Sequence, residues 1–296
     1  MNNIFHYCGH IISNNESGRF PASSEKLVQS TIEGYLADIK IDSCYGSLAS
    51  GADIMLAEAM VSKGAKLHVV LPFDKIDFIN ASVKSSGSKW IKRFNVLLNK
   101  AESMTQVYYK TPKDEILSYS QCTIVAMGLS LQEAIKKDYD LEQQLKQITI
   151  WDNEKTNGIA GTYPDMLRWR ALGLASTYIS SKKPIELSLF KKVNEIKTKA
   201  LTVKIYNKNN MNNFIVIKSL DDLTKILKSN PYNGHYIIDF DHSVFGKFDS
   251  INTEKISMRA LGLIIFYFKM NSGNATNKRQ GRLLFKKEFF GYTVPS

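Results

Sequence analysis

Tyr45-Gly46-Ser47-Leu48-Ala49-Ser50-Gly51-Ala52-Asp53 stands between a short strand-like run, Asp42 to Tyr45, and a helical stretch, Ala52 to Ser62. Gly46 and Gly51 allow the sharp turn and the close backbone approach that this junction needs. Working outward, Ile4 to Ile12 is apolar and aromatic and reads as a buried strand. Leu27, Val28, Ile32, Tyr35, Leu36 and Ile39 then recur at helical spacing, giving a helix from Ser24 to about Lys40. Gly64 stops the Ala52 helix, and Lys66 to Leu71 is a third strand ended by Pro72. Strand, helix, strand, helix, strand with short links predicts an α/β fold with a doubly wound parallel sheet and right-handed crossovers.

Further along, Trp90 to Ala101 is helical, Thr105 to Tyr108 a strand, Glu115 to about Lys137 a helix and Gln147 to Trp151 a strand. Thr162 with Asp165 reads as the cap of a helix from Tyr163 to about Leu174. Lys182-Lys183-Pro184 and the lysine-rich stretch after it predict a linker. The expected division is a first domain over 1–178, a linker over 179–211 and a small basic α+β unit over 212–296. That unit is read as strand Asn213–Ile217, helix Leu220–Lys228, strand Tyr236–Phe240 and helix Thr253–Met270.

The 296 residues are 44% hydrophobic and 23% charged, a globular balance. The longest apolar run, Ala260 to Phe268, is too short to cross a bilayer, so no membrane insertion is expected. The first residues lack the basic and apolar regions of a secretion signal. Cys8, Cys44 and Cys122 have no metal-ligand spacing and fit a reduced, cytoplasmic compartment. The net charge of +11 is unevenly spread. Residues 1–180 carry 19 Lys+Arg and 19 Asp+Glu, leaving 20 and 9 for residues 181–296. A nucleic-acid contact would therefore belong to residues 181–296; a solvated lysine-rich surface is the favoured alternative. No aromatic-basic RNA-binding motif and no zinc-finger spacing is present.

Open α/β sheets take ligands at the carboxyl ends of their strands. Gly9-His10 and the Gly46–Asp53 loop meet that description. Ser47 and Ser50 offer hydroxyls, and the N–H groups at the start of the Ala52 helix favour an anion such as phosphate. Asp53 is then a cap or a sugar-hydroxyl acceptor. No Gly-Lys-Ser/Thr follows, and the Gly-x-Gly-x-x-Gly of dinucleotide folds is missing. Packing alone also explains small residues in such a turn.

Tyr7-Cys8-Gly9-His10, Arg19-Phe20-Pro21 with Glu25, Tyr45 to Asp53 with Ala57-Glu58-Ala59, and Leu67-His68-Val69-Val70-Leu71-Pro72-Phe73 follow one another in that order. Over about residues 4–175 this resembles the SLOG superfamily. That Rossmann-like group includes the DNA-uptake protein of the Smf/DprA type and the cytokinin-activating nucleotide hydrolases. The particular flavour, with Gly46 to Asp53 and Val69 to Phe73, looks like the N-terminal domain found in bacterial proteins beside nucleotide-cyclase or repeat regions. The resemblance implies binding of a nucleotide, or of a ligand derived from NAD or ADP-ribose, as a sensing or regulatory module. The phosphate would lie on the Gly46–Asp53 loop, and no cofactor would be required. The candidate ligand-binding residues are Gly9, His10, Arg19, Gly46, Ser47, Ser50, Gly51, Ala52, Asp53, Pro72, Phe73, Asp74, Trp151 and Asp152. Arg19 offers a fork of donors to a phosphate; Pro72-Phe73-Asp74 and Trp151-Asp152 end strands at the same pole. Some members cleave an N-glycosidic bond, which requires a carboxylate, and Glu58 and Glu25 are the candidates if this chain is a nucleotide or NAD N-glycosidase. The Pro-Gly-Gly-x-Gly-Thr-x-x-Glu motif of that hydrolase branch is not found, which moves the expectation toward binding.

Tyr236-Ile237-Ile238-Asp239-Phe240-Asp241-His242-Ser243-Val244-Phe245 is similar to the first strand and turn of a class III nucleotide cyclase. The similarity makes Asp241 the candidate ligand of a divalent metal. No aspartate follows residue 270, so the second metal carboxylate is missing and cyclase activity is not expected. The expected partner is thus a nucleotide-type small molecule, with homo-oligomerisation left open.

Overall fold

The structure is a computed structural model that describes residues 1–108, 115–158, 160–171 and 174–190, together with strands at 203–207, 210–217, 236–241 and 280–285. Its centre is a seven-stranded sheet. Parallel strands β1 (Asn2–Gly9), β2 (Lys40–Gly46), β3 (Lys66–Leu71), β4 (Ser103–Gln106), β5 (Leu145–Trp151) and β6 (Ser176–Ser180) are joined by antiparallel β7 (Leu187–Phe190). The spatial order is β4-β3-β2-β1-β5-β6-β7. The chain builds outward from β1 to β4, then returns to the other side of β1, so the order reverses between β1 and β5. The fold is a Rossmann-like α/β sheet, as the strand-helix alternation predicts.

The helices cover both faces. α1 (Glu25–Leu36) and α4 (Ser88–Lys100) pack on α2 (Ala52–Ser62), which in turn lies on β1 and β2. Eight of the 11 residues of α2 are buried, among them Ile54, Met55, Leu56 and Met60. A helix apolar all round must sit between layers, and each such side chain contributes about 1.5–3 kcal/mol by leaving water. α5 (Glu115–Lys136) lies on β1, β2 and β3, while α7 (Thr162–Ala171) packs on β5, β1 and α5. The short helices α3 (Lys75–Ser82) and α6 (Leu141–Gln144) complete the unit.

The sequence reading of α2 and β3 holds to the residue, whereas other expectations change; β4, expected over Thr105–Tyr108, runs Ser103–Gln106. β1 ends at Gly9 rather than Ile12, because Ile11 leaves the strand to bridge Gly51. The linker expected from residue 179 is strand over its first part. β6 straddles the expected boundary at 178, and β7 extends the sheet to Phe190. α3 was not anticipated: it is capped by Asp74, whose carboxylate accepts the Ile76 N–H at 2.8 Å.

A second, four-stranded antiparallel sheet has the order β11-β10-β8-β9, from β8 (Val203–Asn207), β9 (Asn210–Ile217), β10 (Tyr236–Asp241) and β11 (Gln280–Phe285). β8 falls within the expected linker. The helices expected over 220–228 and 253–270 lie outside the described residues. Asp241 ends β10; its side chain, and with it the metal expectation, also lies outside them. Among the described residues no helix is long and apolar enough to cross a membrane.

Candidate functional site

Beside the order reversal, at the carboxyl ends of β1 and β2, a cavity of about 550 Å³ opens. Its wall comes from the end of β1 through Ile11, from Gly46, Ser47 and Ala49 after β2, and from Asp53 on α2. α3 and α5 add Phe78, Ser82, Tyr119, Cys122 and Thr123, and the opening turn of α7 adds Gly161, Thr162 and Asp165. Arg19 closes the remaining side.

The three glycines of the junction serve close packing. A Cβ on Gly9 would stand 2.3 Å from Ala52 Cβ and 2.9 Å from the Ile150 carbonyl oxygen. On Gly46 it would stand 2.6 Å from the Tyr7 ring. Gly51 has φ +94°, and a Cβ there would stand 2.5 Å from the Ile12 nitrogen. These contacts seal the start of α2. Ala52 N–H donates to the His10 carbonyl at 3.2 Å, and Ile54 N–H to the Ala49 carbonyl at 3.4 Å. Ser50 turns away from the cavity: its N–H and hydroxyl both reach the Ser82 carbonyl, and the hydroxyl also meets Ser86 Oγ at 2.7 Å. The expected phosphate cradle is therefore corrected. Of its residues Gly46, Ser47, Ala49 and Asp53 line the cavity, whereas Ser50 and Ala52 spend their backbone donors inside the protein.

Arg19, His10 and Asp152 form one network, in which His10 and Asp152 are buried and Arg19 is partly exposed. Arg19 Nε and Nη2 donate to the two oxygens of Asp152 at 2.8 and 2.9 Å, and Nη2 also reaches the Glu154 carbonyl. His10 Nε2 lies 3.0 Å from Asp152 Oδ1, and its Nδ1 lies 3.2 Å from Thr162 Oγ1. Burial opposes charging of the carboxylate, but His10 and Arg19 outweigh it and hold Asp152 well below the usual carboxylate range. Burial also lowers His10, more than Asp152 raises it, so the imidazole is neutral near pH 7. Since an ionised carboxylate only accepts, Nε2 carries the proton and Nδ1 receives the Thr162 hydroxyl. Thr162 thus binds His10 instead of capping α7. Asp152 supports the cavity from behind, and most of the Arg19 fork is engaged before any ligand arrives.

Two carboxylates face the cavity itself. Asp53 is 6% exposed; its Oδ2 accepts the Ala49 N–H at 3.2 Å, the Gly9 N–H also favours the carboxylate, and its Oδ1 has no partner of full hydrogen-bond geometry. Burial, reinforced by nearby Asp165, raises its pKa to about 7. Asp165 accepts from Arg168 Nη1 at 2.8 Å and Thr123 Oγ1 at 3.1 Å, and burial raises it to about 6 despite Arg168. Cys8 and Cys122 line the same cavity, and burial pushes both thiols up, which keeps them protonated and unreactive.

The other expected residues lie elsewhere. Glu25 and Glu58 do not face the cavity. Both are held by Arg93, at 3.1 and 2.5 Å, on the outer side of α1, α2 and α4, so their catalytic assignment is corrected. Glu58 borders a separate groove beside Gln29 and Lys63. Pro72 and Phe73 are packing residues, Phe73 meeting Phe78 and Tyr119 edge-on. Trp151 stacks on Tyr163 in an aromatic cluster with Tyr178 and Phe190. Trp169 is fully buried against His6. Sequence reasoning missed Asp165, although a signal exists. Asn157-Gly158-Ile159-Ala160-Gly161-Thr162-Tyr163-Pro164-Asp165 keeps one Gly of the hydrolase motif's Gly-Gly pair and its Gly-Thr, with Asp where that motif has Glu.

No protein-family model matches this chain, and no curated protein is significantly similar to it.

Proposed function

We propose that the first unit binds a nucleotide, or a ligand derived from NAD or ADP-ribose, in the cavity beside β1, as a sensing or regulatory module. One observation carries the reading. A cavity of about 550 Å³, within the usual range for small-molecule sites, opens at strand carboxyl ends beside the order reversal, where α/β sheets take ligands. The phosphate end is assigned to the first turn of α7 and to Arg19. Gly161 there has φ +107° and open space where a side chain would stand, and the Thr162 and Tyr163 N–H groups have no acceptor among the described residues. The apolar wall of Phe78, Tyr119 and Ile116 suits a base.

A thermal-shift panel of NAD, ADP-ribose, AMP, GMP and cyclic nucleotides tests this. A true ligand at a hundred times its Kd adds about 2.7 kcal/mol to stability, and a panel without any shift at millimolar concentration refutes the reading. A second reading, N-glycoside hydrolysis, is favoured by Asp53 and Asp165. Both face the cavity with raised pKa values, as a general acid or base near neutrality needs. Release of free base from the bound probe, lost in Asp165→Asn, would support hydrolysis; stabilisation without release supports binding alone.

A further inference from the structure

We propose that Asp53, with Ser47 and Tyr7, is the ribose subsite of this cavity and selects ribonucleotides over 2′-deoxyribonucleotides. The assignment rests on the nucleotide reading above. Among the described residues, five buried side-chain polar atoms lack any hydrogen-bond partner: Tyr7 Oη, Ser47 Oγ, Asp53 Oδ1, Gln132 Nε2 and Thr149 Oγ1. The first three belong to residues that line one cavity, while Gln132 and Thr149 do not. Orphaned buried polar groups are costly, so their convergence on one cavity marks the place where a ligand completes the set. Tyr7 is fully buried and Asp53 is 6% exposed, so bulk water does not serve them.

The chemistry of the three atoms selects the ligand group. Asp53 Oδ1 accepts when ionised, whereas the Tyr7 and Ser47 hydroxyls both donate and accept. A sugar hydroxyl also does both, so adjacent ribose hydroxyls satisfy a carboxylate oxygen and neighbouring hydroxyls together. A phosphate only accepts, and the Asp53 carboxylate repels it from the α2 wall. The wall of α3 and α5 is largely apolar, its Ser82 and Tyr119 hydroxyls being bonded to one another and Thr123 to Asp165, and the α7 turn is assigned to the phosphate. The sugar therefore falls to the wall formed by β1, the β2 loop and α2.

Isothermal titration of the full chain with AMP, 2′-deoxy-AMP, GMP and 2′-deoxy-GMP tests the assignment. The ribonucleotide is expected to bind at least about 10-fold more tightly than its deoxy counterpart, because a site built around a hydroxyl leaves groups unpaired without it. Asp53→Asn and Ser47→Ala should each reduce that ratio, and Ser47→Ala keeps the test usable if the Asp53 variant folds poorly. Equal binding of the ribo and deoxy forms overturns the assignment. So does a loss of AMP-over-GMP discrimination in Asp53→Asn with the ribo-to-deoxy ratio unchanged, which would put the base on Asp53. If none of the four binds, the assignment falls, and the nucleotide reading falls with it only if NAD and ADP-ribose also fail.

Discussion

Replacing Asp53 by Asn should make the ligand-free protein more stable at pH 8 and leave it about as stable at pH 5. Asp53 titrates near 7 in the folded chain and at 3.8 as a free side chain. A carboxyl whose folded pKa is raised binds more protons in the folded than in the unfolded state. Its favourable contribution is therefore complete below about pH 4 and is lost as pH rises through 7. Three units at about 1.4 kcal/mol each make about 4 kcal/mol lost in full, of which about 2–3 kcal/mol falls between pH 5 and 8. Asn keeps the bond to the Ala49 N–H through its carbonyl oxygen, but brings an amide donor to a position where Oδ1 had no partner. That orphan costs about 1–3 kcal/mol. The net expectation is a gain of about 1–3 kcal/mol at pH 8 and little change at pH 5. All three tryptophans, Trp90, Trp151 and Trp169, lie in the first unit, so urea unfolding followed by their fluorescence reports on it directly. A variant that loses as much stability between pH 5 and 8 as the wild type, or is weaker at pH 8, refutes the reasoning.

Three further expectations follow from the same geometry. Asp152→Ala leaves His10 Nε2 and the Arg19 fork without their shared carboxylate, and should cost about 2–4 kcal/mol in urea unfolding at pH 7. Because Asp152 is held below the usual range, that difference should shrink as pH falls below about 4. Gly51→Ala forces a side chain into φ +94° and to 2.5 Å from the Ile12 nitrogen, and should lower stability by about 2 kcal/mol or more; a neutral result would mean that the α2 junction is looser than its contacts indicate. Glu58→Ala breaks only the partly exposed pair with Arg93, so it should change stability by about 1 kcal/mol and leave the affinity for any ligand found in the panel within twofold, as read by calorimetry.

The sheet was legible because each of its central strands is marked by two independent signals, an apolar run and a turn residue. Gly64 and Pro72 bracket β3, and Gly46 ends β2. β6 and β7 lacked that contrast: β6, Ser-Thr-Tyr-Ile-Ser, is nearly polar, and β7 leaves Leu187 and Leu189 exposed. Lys182-Lys183-Pro184, read as a linker, lies in the six-residue loop between them. The site was legible in its strand ends and not in its hydrogen bonds. Gly9, His10, Arg19, Gly46, Ser47 and Asp53 all face the cavity as expected. Spacing alone does not reveal that Arg19 is matched by Asp152, 133 residues away, or that Glu58 is matched by Arg93. Asp165 was hidden by its own motif, since Thr162-x-x-Asp165 has the form of a capping box.

The junction that decides the fold also explains why the proposed phosphate end is placed at α7 and not at α2. A helix N-terminus attracts phosphate only while its first N–H groups are free. At α2 the chain beyond β1 folds back over that terminus, and the His10 carbonyl takes the Ala52 N–H while Ile11 bridges Gly51. Asp53, in the first turn, then presents an orphan carboxylate oxygen where an anion would have to sit. At α7 the arrangement is reversed. Thr162 gives its hydroxyl to His10, Pro164 has no N–H to offer, and the Thr162 and Tyr163 N–H groups have no acceptor among the described residues. On the proposed nucleotide reading the two helix starts divide the cavity: the phosphate is placed on the α7 side, where Arg168 and Thr123 hold Asp165, and not on the α2 side. A ligand with an anionic end and a hydroxyl-rich middle fits that division, and an anion alone would occupy only the α7 side.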